Sequence, residues 1–77
     1  MCRNIKRLAN LEPPATGEEI RASALQFVRK LSGTNRPSRA NQLAFNQAVE
    51  QVAAAAEALL RAFKTIVPPR SREEEVP

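Results

Sequence analysis

Seventy-seven residues hold one domain at most, and a chain of this size buries only about 60% of its unfolded surface, so its stability depends on well-formed helices or on a partner. Twelve Lys and Arg against eight acidic residues, all of them Glu, give a net charge of +4, with 43% apolar residues, a single Cys and no His, Asp, Trp or Tyr. That inventory excludes a Ser–His or Cys–His nucleophile pair within the chain, a zinc site built from His and Cys clusters, and an intrachain disulfide.

The amino end carries Arg3, Lys6 and Arg7 but no apolar segment of a secretory signal, and no run of about 18 apolar residues occurs anywhere, which points to a cytoplasmic protein. Charge is distributed unevenly. Residues 1–40 hold eight basic and three acidic side chains, a net +5, whereas residues 41–77 hold four basic and five acidic, a net −1. An anion-seeking surface therefore belongs to the first half.

In chain order, Ile5, Leu8 and Leu11 recur every three residues. This spacing predicts a short amphipathic helix within residues 1–12, with Asn4 as N-cap, stopped by Glu12-Pro13-Pro14. Thr16-Gly17-Glu18-Glu19 then reads as a capping box. It opens a helix of about 16 residues whose apolar face is Ile20, Ala24, Phe27, Val28 and Leu31. Gly33 follows as its left-handed terminator, and Arg29 and Lys30 complement the negative end of its dipole.

After the connection Gly33-Thr34-Asn35-Arg36-Pro37, Ser38 is placed to cap a longer helix from about Arg39 to Ile66, roughly 42 Å at 1.5 Å per residue. Its seam, Phe45, Val49, Val52, Ala56, Leu59, Phe63 and Ile66, has heptad spacing. So short a connection makes the two helices antiparallel neighbours. The first then covers the second only to about Ala54, leaving Leu59, Leu60, Phe63 and Ile66 to residues 1–12 or to a second copy. Pro68-Pro69 ends the long helix, and residues 70–77, charged and without periodicity, read as a disordered tail. The expected fold is all-α: a short N-terminal helix packed on an antiparallel hairpin of one medium and one long helix, forming a single domain over residues 1–69.

Two sets of residues stand out as candidate sites. Removal of Met1 would leave Cys2 with a free amine beside its thiol, a pairing suited to redox, metal-binding or nucleophilic chemistry, with Arg3 and Asn4 as supports. The bland alternative is a small residue at a chain end. Arg29, Lys30, Arg36 and Arg39 gather around the turn between the helices, beside Ser38 and the unpaired N–H groups of a helix start, an arrangement suited to an anion. The bland alternative is a solvated basic surface. The amides Asn41, Gln42, Asn46, Gln47 and Gln51 share the polar side of the long helix.

Several motifs together carry a resemblance. Met1-Cys2-Arg3-Asn4-Ile5-Lys6, Glu12-Pro13-Pro14-Ala15-Thr16, Glu18-Glu19-Ile20-Arg21-Ala22, Phe27-Val28-Arg29-Lys30-Leu31-Ser32-Gly33, Pro37-Ser38 with Asn41 and Phe45-Asn46, and Val67-Pro68-Pro69-Arg70 resemble the small bacterial family termed domain of unknown function 2277. The resemblance spans nearly the whole chain and implies a short, bacterial, cytoplasmic protein. It brings no activity, cofactor or catalytic residue. Its members tend to begin with the same Met-Cys-Arg-Asn-Ile run. The chain departs from them at Ala9 and Leu11 and at Thr34-Asn35, where relatives often carry aromatics, and in lacking their Ala- and Arg-rich extension.

The functional expectation is a non-enzymatic binding or adaptor module whose basic surface takes an anionic partner, nucleic acid or acidic protein. No cofactor is implied. The alternatives are an N-terminal-cysteine protein centred on Cys2, and a self-assembly unit that forms a homodimer through the long helix.

Overall fold

The computed structural model describes residues 5–64 and 67–71, so the expectations on Cys2, Arg3, Asn4, Ile66 and tail residues 72–77 lie outside the described residues. Strand β1 (Leu11–Glu12) is followed by helix α1 (Gly17–Ser32), a 3-10 turn (Arg39–Asn41), helix α2 (Gln42–Ala62) and strand β2 (Arg70–Ser71).

Helix α1 begins and ends where its caps dictate. The Thr16 hydroxyl oxygen accepts the Glu19 N–H at 3.1 Å, and the Glu19 carboxylate accepts the Thr16 N–H at 2.9 Å, so two otherwise orphaned donors are satisfied. Gly33 closes the helix at φ 76°, its N–H donating to the Arg29 carbonyl at 2.9 Å.

The fold is not the all-α bundle expected from the sequence. It is mostly helical, but a small two-stranded parallel sheet replaces the N-terminal helix, with Leu11 opposite Arg70 and Glu12 opposite Ser71. Residues 5–8 are irregular and Ala9-Asn10 form a turn. The residue before a proline is driven to extended geometry, which suits Glu12 to a strand. Asn10 adopts φ 59°, a left-handed conformation that Asn tolerates better than most residues. The same sheet corrects the expectation of a disordered tail from residue 70, because Arg70 and Ser71 are strand residues. Pro13-Pro14 and Pro68-Pro69 flank the two strands and lack N–H donors, which keeps the ladder short.

Helix α2 is shorter than its apolar pattern suggested. Phe63 leaves the helix at ψ 124°. The residues that follow it include the β-branched run Thr65-Ile66-Val67 immediately before Pro68, a poor sequence for continuing a helix. At the other end the chain enters through the 3-10 turn rather than directly.

The core lies between the helices. Ala24 and Val28 of α1 pack with Phe45 and Val49 of α2, with Leu25, Ala48, Val52 and Ala53 around them. Pairing Val28 with the Phe45 end, and Arg21 with Glu50 further along, makes the helices antiparallel. Along α2 the protected positions run Phe45, Val49, Val52-Ala53, Ala56 and Leu60, while Leu59 and Phe63 are 60% and 55% exposed. The expected heptad seam drifts off the buried face because a straight helix repeats every 3.6 residues, not 3.5. Leu11 and Ile20, each 7% exposed, extend the packing toward the sheet. The N-terminal segment thus approaches the end of α2 that α1 leaves open, as extended chain rather than as a helix.

Candidate functional site

The two ends of the hairpin differ in chemistry. At the sheet end, Leu8, Leu11, Pro14, Ile20, Leu60 and Phe63 contribute to an open groove of about 460 Å³. Glu57 and Arg61 also line it, and they satisfy each other: Arg61 Nη2 donates to Glu57 Oε2 at 2.6 Å and Nε to the same oxygen at 3.2 Å. The one carboxylate and the one cation that line it are thus paired with each other.

At the turn end the balance is different. Between Glu19 and Glu50 the sequence contains no acidic residue. Arg21, the first cation of that interval, is joined to Glu50. Lys6, outside it, approaches Glu19 at 4.0 Å. The remaining four, Arg29, Lys30, Arg36 and Arg39, belong to no ion pair among the described residues. Arg29 is half-buried, and its Nε is shielded from solvent with no hydrogen-bond partner among the described residues.

An open groove of about 770 Å³ runs between the last turn of α1 and the start of α2. Its floor is apolar, formed by Val28, Leu31, Ala44, Phe45 and Ala48, and its rim carries Arg36, Ser38 and Asn41. Of the five residues expected to bind an anion, Arg36 and Ser38 line this groove directly. Arg29, Lys30 and Arg39 do not line it, but each is the chain neighbour of a residue that does: Val28, Leu31 and Ser38 respectively.

The turn is held by its own hydrogen bonds. Thr34 Oγ1 donates to the Arg36 carbonyl at 2.9 Å, fixing the backbone that presents Arg36. Ser38 is extended, at φ −63° and ψ 163°, as an N-cap should be, yet its hydroxyl oxygen makes no cap bond to the backbone. It accepts instead from Asn41 Nδ2 at 3.1 Å, while the Ser38 carbonyl accepts the Asn41 N–H at 2.9 Å. Asn41, in the N-cap position of α2, makes no cap bond to the backbone either. No side chain caps the helix start; the Asn41 and Gln42 N–H groups are taken instead by the Ser38 and Arg39 carbonyls of the 3-10 turn.

A family model described as "Uncharacterized conserved protein (DUF2277)" matches residues 1–77. The chain belongs to the DUF2277 family. No curated protein and no solved structure matches it significantly. In this DUF2277 chain the fold brings together two motifs that carried the family resemblance, Glu12-Pro13-Pro14 and Val67-Pro68-Pro69-Arg70. The link is Asn10, whose side-chain Nδ2 donates to the carbonyls of Val67 and Pro68 at 3.2 and 3.1 Å, and whose own carbonyl accepts the Arg70 N–H at 2.9 Å. Reading the sequence missed Asn10. The available signal was an Asn, tolerant of left-handed geometry, just before a Pro-Pro pair.

Reading the sequence also missed the apolar floor beside the basic cluster. Leu31 and Leu43 are 75% and 70% exposed, although Leu31 sits in the apolar stripe of α1. The amides Gln42, Asn46, Gln47 and Gln51 face solvent, Gln42 Nε2 donating to Asn46 Oδ1 at 3.5 Å. Among the described residues no group of His, Cys, Asp or Glu is large enough to hold a metal ion, and no helix is long and apolar enough to cross a membrane.

Proposed function

We propose that this protein is a non-enzymatic binding module that engages an anionic partner at the turn end of its helical hairpin. The observation that carries the reading is Arg36 on the rim of the groove, with Arg29, Lys30 and Arg39 at chain positions adjoining its lining and none of the four in an ion pair among the described residues. Lys6, Arg21 and Arg61 each have a Glu within ion-pair distance, whereas these four have none among the described residues. Two further features support it. The start of α2, which has no side-chain cap, adds the positive end of the helix dipole on the same side. The half-buried Arg29 guanidinium has an unanswered N–H, and a buried donor gains by acquiring an acceptor.

The test is binding of short polyanions, oligoglutamate and a single-stranded oligonucleotide, by fluorescence anisotropy. Binding falls steeply between about 50 and 200 mM salt if ion release drives it. Arg36→Glu combined with Arg39→Glu abolishes binding on this account. Unchanged affinity in that variant places the contact elsewhere.

The self-assembly reading keeps one supporting observation: Leu59, Phe63 and Val67 are all more than half exposed near the sheet end. Sedimentation at micromolar concentration tests it, and a monomer counts against it.

A further inference from the structure

We propose that the partner held at the turn end is a protein segment of acidic amphipathic type, with carboxylates flanking bulky apolar side chains. This rests on the anion-binding reading and narrows it from any polyanion to a peptide.

Both helices contribute to the groove floor. Val28, Leu31, Ala44, Phe45 and Ala48 offer an apolar surface to whatever sits there. A phosphate or a sugar gains nothing from it, whereas a leucine or phenylalanine loses contact with water on entering. Leu31 is three-quarters exposed, so most of its surface is available to be covered. The groove, at about 770 Å³, lies within the range of sites that enclose a drug-sized group, about 300–1,000 Å³.

Nucleic acid fits less well. Binders of single strands use exposed aromatic faces for base stacking. The only aromatic lining this groove is Phe45, 9% exposed and committed to the core. Phe27 does not line it, and Phe63 belongs to the opposite end.

Charge complementarity supplies the acidic half. Arg36 lines the groove, Arg29, Lys30 and Arg39 occupy chain positions next to lining residues, and residues 20–49 contain no carboxylate. Guanidinium groups suit carboxylates through paired N–H donors. An amphipathic segment lying in the groove would place its apolar side chains on the floor and its carboxylates against the rim.

The experiment uses the full chain and three fluorescein-labelled probes: a Glu/Leu peptide with paired leucines between glutamates, the same peptide with Ser in place of Leu, and an oligonucleotide of matched charge. The Glu/Leu peptide should bind at least about tenfold tighter than its Ser counterpart, the return expected from burying even one leucine. Leu31→Ser, at an exposed position and with its helix content checked by circular dichroism, should erase that difference. Arg36→Glu should weaken both peptides. Equal binding of the two peptides, or preference for the oligonucleotide, overturns the peptide proposal and leaves the anion-binding reading standing. No binding of any probe at low salt removes both. Self-association that disappears when residues 72–77 are deleted would assign the groove to the Glu73-Glu74-Glu75 run of a second copy, and also overturns the proposal.

Discussion

Asn10 and Val67 lie 57 positions apart in the sequence, yet the Asn10 side-chain Nδ2 donates to the Val67 carbonyl at 3.2 Å. A second bond from the same amide reaches the Pro68 carbonyl, and the Asn10 carbonyl accepts the Arg70 N–H. One side chain thus fastens the returning C-terminal segment to the turn that precedes β1. Replacing it should loosen the sheet end as a unit. Asn10→Ala is expected to cost about 1–2 kcal/mol, from two partly exposed hydrogen bonds and a left-handed backbone that Ala adopts less readily. Asn10→Gly keeps the backbone freedom and loses only the amide, so it should cost less. Urea unfolding midpoints check the order, and amide exchange at Arg70 should quicken in both variants while the α1–α2 core keeps its protection.

Gly33 tests a different element. Its φ of 76° requires left-handed geometry, but a Cβ added there would meet nothing within 4 Å. The cost of Gly33→Ala is therefore backbone strain without a clash, about 1 kcal/mol. Gly33→Asn should cost less, because Asn tolerates that conformation. Thermal or urea denaturation of the pair distinguishes strain from crowding.

Core and surface should respond very differently. Val49 is 3% exposed and packs with Ala24, Val28 and Phe45. Val49→Ala should cost about 2 kcal/mol through lost burial and the cavity left behind, a large share of the stability available to a domain this small. The Arg21–Glu50 pair joins the same two helices, but both side chains are more than half exposed. A double-mutant cycle on that pair should give a coupling under about 1 kcal/mol, falling further with salt.

The local signals in the sequence were sufficient for α1. Thr16 and Glu19 form a capping box and Gly33 terminates the helix, because these interactions span only a few residues and depend little on the rest of the chain. The sheet was illegible for the opposite reason. Leu11 meets Arg70 across the length of the chain, through backbone groups that carry no residue-specific code, and the three-residue spacing of Ile5, Leu8 and Leu11 mimicked a helix. Apolar periodicity continues through Phe63 and Ile66 and so suggests a longer α2, whereas the helix ends at Ala62, ahead of the Thr65-Ile66-Val67-Pro68 run that disfavours helix. At the candidate site the cations could be named from charge alone. The apolar groove they surround could not, since it forms only when Leu31 and Phe45 are brought together by the turn.

The central claim is that anions are captured at the turn end, and it is tested most directly by mapping backbone amide shifts while a short oligoglutamate is titrated in at low salt. The account predicts that the largest changes fall within residues 28–48, at Arg29, Lys30, Arg36, Ser38 and Arg39 and the groove floor beside them, and that they vanish as salt is raised. Changes centred instead on Lys6, Arg7, Lys64 and Arg70 at the sheet end, or no changes at all, would contradict it.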